Sequence, residues 1–454
     1  MGTVRSLCLV APVLVGLAGC SFGGGGGGAR YACAAADQCP DGLSCVGGFC
    51  QGSAFDGGGG GDGDTNQGAA CGTVSLLADD FEDGLGSAAL PIWNDGAQTT
   101  ISETGGQLRL HFDAAQDEWA GVRSALLYHI RGGEILAEVD QAGGRYAVLE
   151  VRERDGPKAQ ILVEDGITLQ ATILNAPSGS EEVNEEYDPV AHRVWRMRER
   201  DGDLLFETAP EPASDDWHTV ATMPLPFTGD LVEVIVSGAG RSGDADIRFG
   251  ALNTGVVAPA GYCPASDLVD DFTAAPFDPD WYSWENDGCS AAERESAFEV
   301  SFTEPGSAWC GIDSMQLYSL DAGPLVVAVG APLNGTSSAV VVGVWVTPVG
   351  QPEIYVEMAR QDGDVLLRVG GPTVSDQDEV PYSDEHRFFR LRAGDGGRVY
   401  GDISDDGADW TEQFDLAAPF DLSAVQVSLQ GGLVDGASAN GDTARILGVN
   451  AGDL

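Results

Sequence analysis

The chain has 454 residues, of which 43% are hydrophobic and 8% aromatic, with 71 acidic against 23 basic side chains and a formal net charge of -48. Its length allows two or three domains. A surface this acidic, with Lys158 as its single lysine, repels phosphate backbones and anionic headgroups, which excludes nucleic acid and electrostatic membrane association.

In chain order, Arg5 precedes an apolar run from Leu7 to Leu17 and then Ala18-Gly19-Cys20. A charged start, a short apolar core and small residues before the cut predict an export signal over 1–19, too short to span a bilayer as a permanent helix. Leu17-Ala18-Gly19-Cys20 resembles the lipobox of bacterial lipoproteins. The resemblance implies that Cys20 is lipidated and begins the mature chain, whose contact with the membrane is then the lipid alone. Ser21, where an aspartate would signal inner-membrane retention, implies an exported protein of the outer membrane. Residues 20–30 and 52–70 are glycine-rich and read as flexible tethers.

Between the tethers, residues 31–51 hold Cys33, Cys39, Cys45 and Cys50 in a stretch too short for a hydrophobic core, so two disulfides are expected to replace one. Spacing leaves the connectivity open, with first-to-third and second-to-fourth the favoured pairing. Beyond them lie Cys71, Cys263, Cys289 and Cys310. The set is even, and neither CxxC pairs nor nearby histidines accompany it, so disulfides are expected rather than a metal.

The rest of the chain is one pattern written twice, over 71–258 and 259–454. Asp79-Asp80-Phe81 recurs as Asp270-Asp271-Phe272, Trp119-Ala120-Gly121 as Trp309-Cys310-Gly311, and His192 to Arg198 as His386 to Arg392. A period this long means tandem domains, since solenoid repeats run to about 20–50 residues. Within each copy the signal is strand: β-branched runs at Leu325 to Ala328 and Val340 to Val346, alternation from Gln107 to Phe112, and Asp-Gly turns after Arg200 and Gly394. Many short strands in a domain of this size predict two packed antiparallel sheets. Cys289 and Cys310 fall where the first copy has Ala97 and Ala120, and partners replaced together are partners that touch, which predicts their disulfide. Cys71 and Cys263 each precede an Asp-Asp-Phe start and are expected to bond to each other, closing the first copy end to end, rather than each to a separate partner.

The segment Ser404-Asp405-Asp406-Gly407-Ala408-Asp409-Trp410, following the arginine strand Phe388 to Arg392, resembles the concanavalin A-like lectin/glucanase superfamily, in particular its bacterial laminin-G-like members. The resemblance implies an all-β chain of two tandem antiparallel jelly-roll β-sandwiches behind the small disulfide-rich module and its tethers. In the first copy Pro210-Glu211-Pro212-Ala213 replaces the Asp-Gly turn before Trp217.

Four sets of residues are candidates for function. Arg198 and Arg392 stand on arginine strands that could grip acidic polysaccharide, but the hairpin turns set Glu207 opposite Arg196 and Asp402 opposite Arg390, and cross-strand ion pairs account for such arginines without a ligand. Trp281, Tyr282 and Trp284 form the densest aromatic cluster and the expected sugar-stacking surface, whereas Trp119, Trp309, Trp217 and Trp410 are expected in the core. Asp80 with Asp244, and Asp271 with Asp442, offer hard oxygen ligands for a structural calcium, such as laminin-G-like relatives often carry. Glu138-Val139-Asp140 begins like the Glu-x-Asp-x-x-Glu motif of the superfamily's retaining hydrolases, but glycine stands at the third carboxylate. The expectation is therefore a monomeric, non-enzymatic surface lipoprotein that binds extracellular polysaccharide or matrix. A degenerate glycoside hydrolase and a spacer that binds another envelope protein are the alternatives.

Overall fold

The computed structural model describes the backbone of residues 43–46 and 49–52 and, from 71 to 451, all but 83, 85–86, 97–98, 114–117, 155, 228, 241–244, 274–276, 278–279, 304–306, 331–339, 362, 384 and 435–442. The expected signal, the lipid site Cys20, the tethers, Cys33, Cys39, Asp244 and Asp442 lie outside the described residues. The short strands Leu43–Val46 and Phe49–Gly52 pair antiparallel, with Cys45 opposite Cys50 in backbone register.

Each copy of the repeat folds into two facing antiparallel sheets. In the first, one sheet runs Glu181–Glu186, Thr168–Leu174, Lys158–Glu164, Tyr146–Arg152, Leu231–Ala239, Trp119–Arg123, Ile92–Asn94, and the other is built around Glu134–Ala142 and Val194–Arg200. In the second copy the corresponding order is Ser375–Pro381, Asp364–Gly370, Tyr355–Gln361, Val340–Thr347, Gln426–Leu433, Ala308–Ser314, Trp281–Glu285, with Leu325–Val329 and Phe388–Gly394 at the centre of the facing sheet. Alternation decides what faces inward: Leu108, Leu110 and Phe112 are fully buried while Arg109 and His111 between them are not. The outermost strands, Glu-Glu-Val-Asn-Glu-Glu in one copy and Ser-Asp-Gln-Asp-Glu-Val-Pro in the other, carry so much negative charge that edge-to-edge pairing with another chain is disfavoured.

The two copies share their internal joints. Each opens with a 3-10 turn, Val74–Leu76 or Ala265–Asp267. Phe81 and Phe272 then adopt φ of 53° and 51°, uncommon for bulky side chains, each held by its own Asp79 or Asp270 Oδ1 accepting the phenylalanine N–H at 2.8 and 2.7 Å. Each closes on an asparagine. Asn253 Oδ1 accepts from Leu136 N–H while its amide donates to Val74 O and Leu77 O, and Asn450 repeats the pattern with Val326, Ala265 and Leu268.

Cys71 is bonded to Cys263 and Cys289 to Cys310, the latter joining the two sheets of the second sandwich. The tryptophans sort differently from expectation. Trp281 is buried, with its indole N–H on Asp270 at 2.8 Å, and is no part of an open surface. Trp119, Trp309, Trp217 and Trp410 are half-buried on outer faces instead of in the core. The reason is strand parity: Ala120 and Cys310 take the inward positions, which turns Trp119 and Trp309 out. Trp217 lies under the Arg196 guanidinium, 3.7 Å from its ring centre, and Trp410 under Arg390 at 4.4 Å.

Candidate functional site

The outer face of the second sandwich carries residues that a sheet normally leaves to water. One register row crosses it from strand to strand: Tyr282, Asp313, Ser428, Trp345, Glu357, Arg368 and Gln377 stand directly opposite one another in sequence across the sheet. The cleft over this row encloses about 650 Å³ and is walled by the rings of Tyr282, Trp284, Trp309, Trp345 and Tyr355. Trp309 meets Trp345 edge to face with centroids 5.9 Å apart, and a small apolar cluster of Val341, Trp345, Ala359 and Leu366 lies beneath them, separate from the main core.

Glycines seat these rings. A Cβ on Gly432 would come within 2.6 Å of the Trp309 ring, one on Gly311 within 2.7 Å of Trp284, and one on Gly370 within 2.4 Å of Tyr355. The missing side chains allow the rings to lie close against the sheet and so form an apolar floor.

Two carboxylates stand in this floor. Glu357 is 2% exposed, accepts from Arg368 Nη1 at 3.1 Å, and takes a hydrogen bond from the Trp345 indole. Burial outweighs the arginine and pushes its carboxyl up to about 7. Asp313 accepts from Ser428 Oγ at 2.6 Å and from Trp284 Nε1 at 3.0 Å, both on Oδ1, leaving Oδ2 without a protein donor among the described residues. Burial raises its carboxyl too, against the pull of Ser428 and Trp284. Glu357 is thus part-protonated near neutral pH, and Asp313 stands three strands away in the same row.

The first sandwich has none of this. Aligned through Trp119 and Trp309, its corresponding row reads Arg123, Ile235, Glu150, Gln160 and Thr172. Arginine replaces Asp313 and glutamine replaces Glu357. Trp93, the counterpart of Trp284, has a buried indole N–H with no acceptor among the described residues.

Of the residues singled out in the sequence, Tyr282 and Trp284 belong to the cleft. Arg198 and Arg392 lie on the facing sheet and are spent on ion pairs: Arg196 and Arg198 both bind the buried Glu207, at 2.9 and 3.0 Å, and Arg390 and Arg392 both bind Asp402, at 2.7 and 2.8 Å. Glu138 and Asp140 are bridged by Arg193 at 3.3 and 3.0 Å. Asp80 and Asp271 turn Oδ1 back onto the N–H of Glu82 and Thr273. Asp313, Trp345, Tyr355 and Glu357 were missed, although a lone acid inside the apolar strand Tyr355–Gln361, opposite a glutamine in the first copy, was a legible signal.

A second cluster, Glu185, His192 and His218, brings three potential ligand atoms within 4.8 Å of one another. His192 Nδ1 accepts the Asp188 N–H, which keeps the proton on Nε2 toward Glu185, so the set is held by its own hydrogen bonds. His386 accepts the Ser383 N–H in the same way, which marks this histidine as a turn element of both copies.

No family model matches the sequence, and no curated protein matches it. Solved structures similar to the chain include lectin II from Ulex europaeus, at 10% identity over 40% of this chain and 95% of that one, with a TM-score of 0.29. Porphyranase B from Zobellia galactanivorans is similar at 9% identity over 40% and 90%, with a TM-score of 0.30. A GH43 protein from Bacillus licheniformis is similar at 14% identity over 78% and 74%, with a TM-score of 0.33. At these identities the likeness is one of lectin-like β-sandwich folds, and it carries no chemistry over to this chain. The expectation of a non-enzymatic chain is nevertheless corrected. The second sandwich holds one buried and one half-buried carboxylate, Glu357 and Asp313, in an aromatic cleft where the sequence reading allowed no acid pair.

Proposed function

We propose that the second sandwich hydrolyses glycosidic bonds in an extracellular polysaccharide, on a chain exported and held at the outer membrane by lipidated Cys20. The observation that carries this reading is the register row that sets Glu357 and Asp313 three strands apart along one aromatic-floored cleft. Glycoside hydrolysis needs an acid that is still protonated near neutral pH and a second carboxylate across the bond. Glu357, its carboxyl at about 7, gives its proton to the leaving oxygen. Asp313, with Oδ2 unused, takes a proton from the water that attacks the anomeric carbon as the carbon–oxygen bond breaks.

The two main chains are three strand spacings apart, about 14 Å at roughly 4.8 Å each. Of the two routes, inversion, with carboxyls about 6.5–9.5 Å apart around a water, asks the two side chains to lean together less across this span than retention, with carboxyls about 5–5.5 Å apart. The rings of Trp284, Trp309 and Tyr355 offer flat apolar faces for the sugar. The test is reducing-end release by the whole chain from a panel of neutral and acidic polysaccharides, with Glu357→Gln and Asp313→Asn alongside. Each substitution is expected to lower the rate about 100-fold or more, with the anomer inverted by NMR. Release unchanged in both variants, or none from any polysaccharide the chain binds, would sink the proposal.

A further inference from the structure

The outer face of the first sandwich reverses the charge of the cleft in the second. Where Asp313 stands in one copy, Arg123 stands in the other, and around Arg123 a cleft of about 700 Å³ gathers Arg152, Arg154 and Lys158, the chain's one lysine. In a chain with 71 acidic and 23 basic side chains, four cations on one face are a concentration against the grain of the composition.

Their pairing is uneven. Glu150 binds Lys158 at 3.2 Å, and Glu233 binds Arg152 Nε at 2.6 Å, which fixes these two cations in place. Arg123 and Arg154 are exposed and hold no carboxylate among the described residues. Most other described arginines do find one, among them Arg109, Arg131, Arg193, Arg196, Arg198, Arg368, Arg390 and Arg398, while Arg360 and Arg387 lie over the rings of Tyr382 and Phe388 instead. With acids in threefold excess, unpaired arginines in a cleft are donors left open for an outside anion. A guanidinium presents its N–H groups as a fork that matches a carboxylate or a sulfate in two parallel hydrogen bonds. Asn175 lines the same cleft and adds an amide for a neighbouring hydroxyl.

We infer that this cleft binds the anionic groups of an acidic polysaccharide, a uronate carboxylate or a sulfate ester, through Arg123 and Arg154. The inference rests on the reading of the chain as a polysaccharide-acting protein and names the class of polymer. The first sandwich then holds the charged sugars while the second acts on a stretch of the same polymer, and the two sites add their affinities through one linkage.

The test is titration calorimetry of the whole chain with oligogalacturonate, dextran sulfate and neutral dextran, repeated with Arg123→Glu/Arg154→Glu and with the milder Arg123→Gln/Arg154→Gln. The expected result is binding of oligogalacturonate or dextran sulfate but not of dextran, at least tenfold weaker after charge reversal and weakened by raising salt from about 50 to 200 mM. Whichever anion binds tells the carboxylate from the sulfate. Both side chains are exposed, so an unchanged melting temperature is expected and separates lost binding from lost fold. Failure of both anions to bind, or binding that survives charge reversal, overturns the inference. The hydrolytic reading is judged separately, by reducing-end release from neutral substrate, which these substitutions leave as it was.

Discussion

Replacing Glu357 by glutamine removes a titrating group and leaves a side chain of the same shape that still accepts from Trp345 and Arg368. In the unfolded chain this carboxyl titrates near 4.5, and in the fold at about 7, because burial penalises its charge. Between those values the folded state binds the extra proton, so the contribution of Glu357 to stability is fully present below 4.5 and is lost as pH rises through 7. At 1.36 kcal/mol per pH unit the rise amounts to about 3 kcal/mol. With a urea slope of about 2 kcal/mol/M, that is a relative shift in midpoint of about 1.5 M. The assay is urea unfolding of the whole chain and of Glu357→Gln at pH 4.5, 6 and 8, followed by the fluorescence of Trp345 and its neighbours. Wild type is expected to fall behind the variant progressively as pH rises. The repulsion among the other acids acts on both proteins and cancels in the comparison. A gap between the two midpoints that stays constant from pH 4.5 to 8 would refute the raised carboxyl and, with it, the choice of Glu357 as the acid.

Gly432→Ala is expected to lift the Trp309 ring, which a Cβ would approach to 2.6 Å; overpacking of this kind costs about 1–3 kcal/mol, and binding of a neutral oligosaccharide should weaken several-fold by calorimetry. Asn253→Ala removes three buried hydrogen bonds that tie the end of the first sandwich to its start, and about 3 kcal/mol of stability is expected to go with them in a denaturant titration.

The duplication was plain in the sequence because turn and joint residues must recur wherever the backbone repeats: Asp79-Asp80-Phe81 and Asp270-Asp271-Phe272 bind their own main chain in the same way. The pairing of Arg196 with Glu207 and of Arg390 with Asp402 was legible because a hairpin turn fixes register locally. The row of Asp313 and Glu357 was not. Asp313 meets Ser428 across 115 residues, and no local pattern says which distant strands lie side by side. Size misled as well: tryptophan suggests core, yet strand parity gave the inward places to Ala120 and Cys310 and made Trp309 part of a wall. What a comparison of the two copies could have shown, position by position, is where charge had changed sign.

The bond between Cys71 and Cys263 spans 192 residues of sequence and has a mechanical meaning. A pull applied ahead of residue 71 and resisted by a polymer lodged in the second sandwich enters Cys71, crosses one sulfur–sulfur bond to Cys263, and continues into the second sandwich. The strands of the first sandwich stand beside that line of tension and carry none of it. On the proposed reading, tension between the lipid anchor and a bound polymer therefore loads a short covalent path, and the first sandwich keeps its shape, with its cluster of arginines, while the strain passes by.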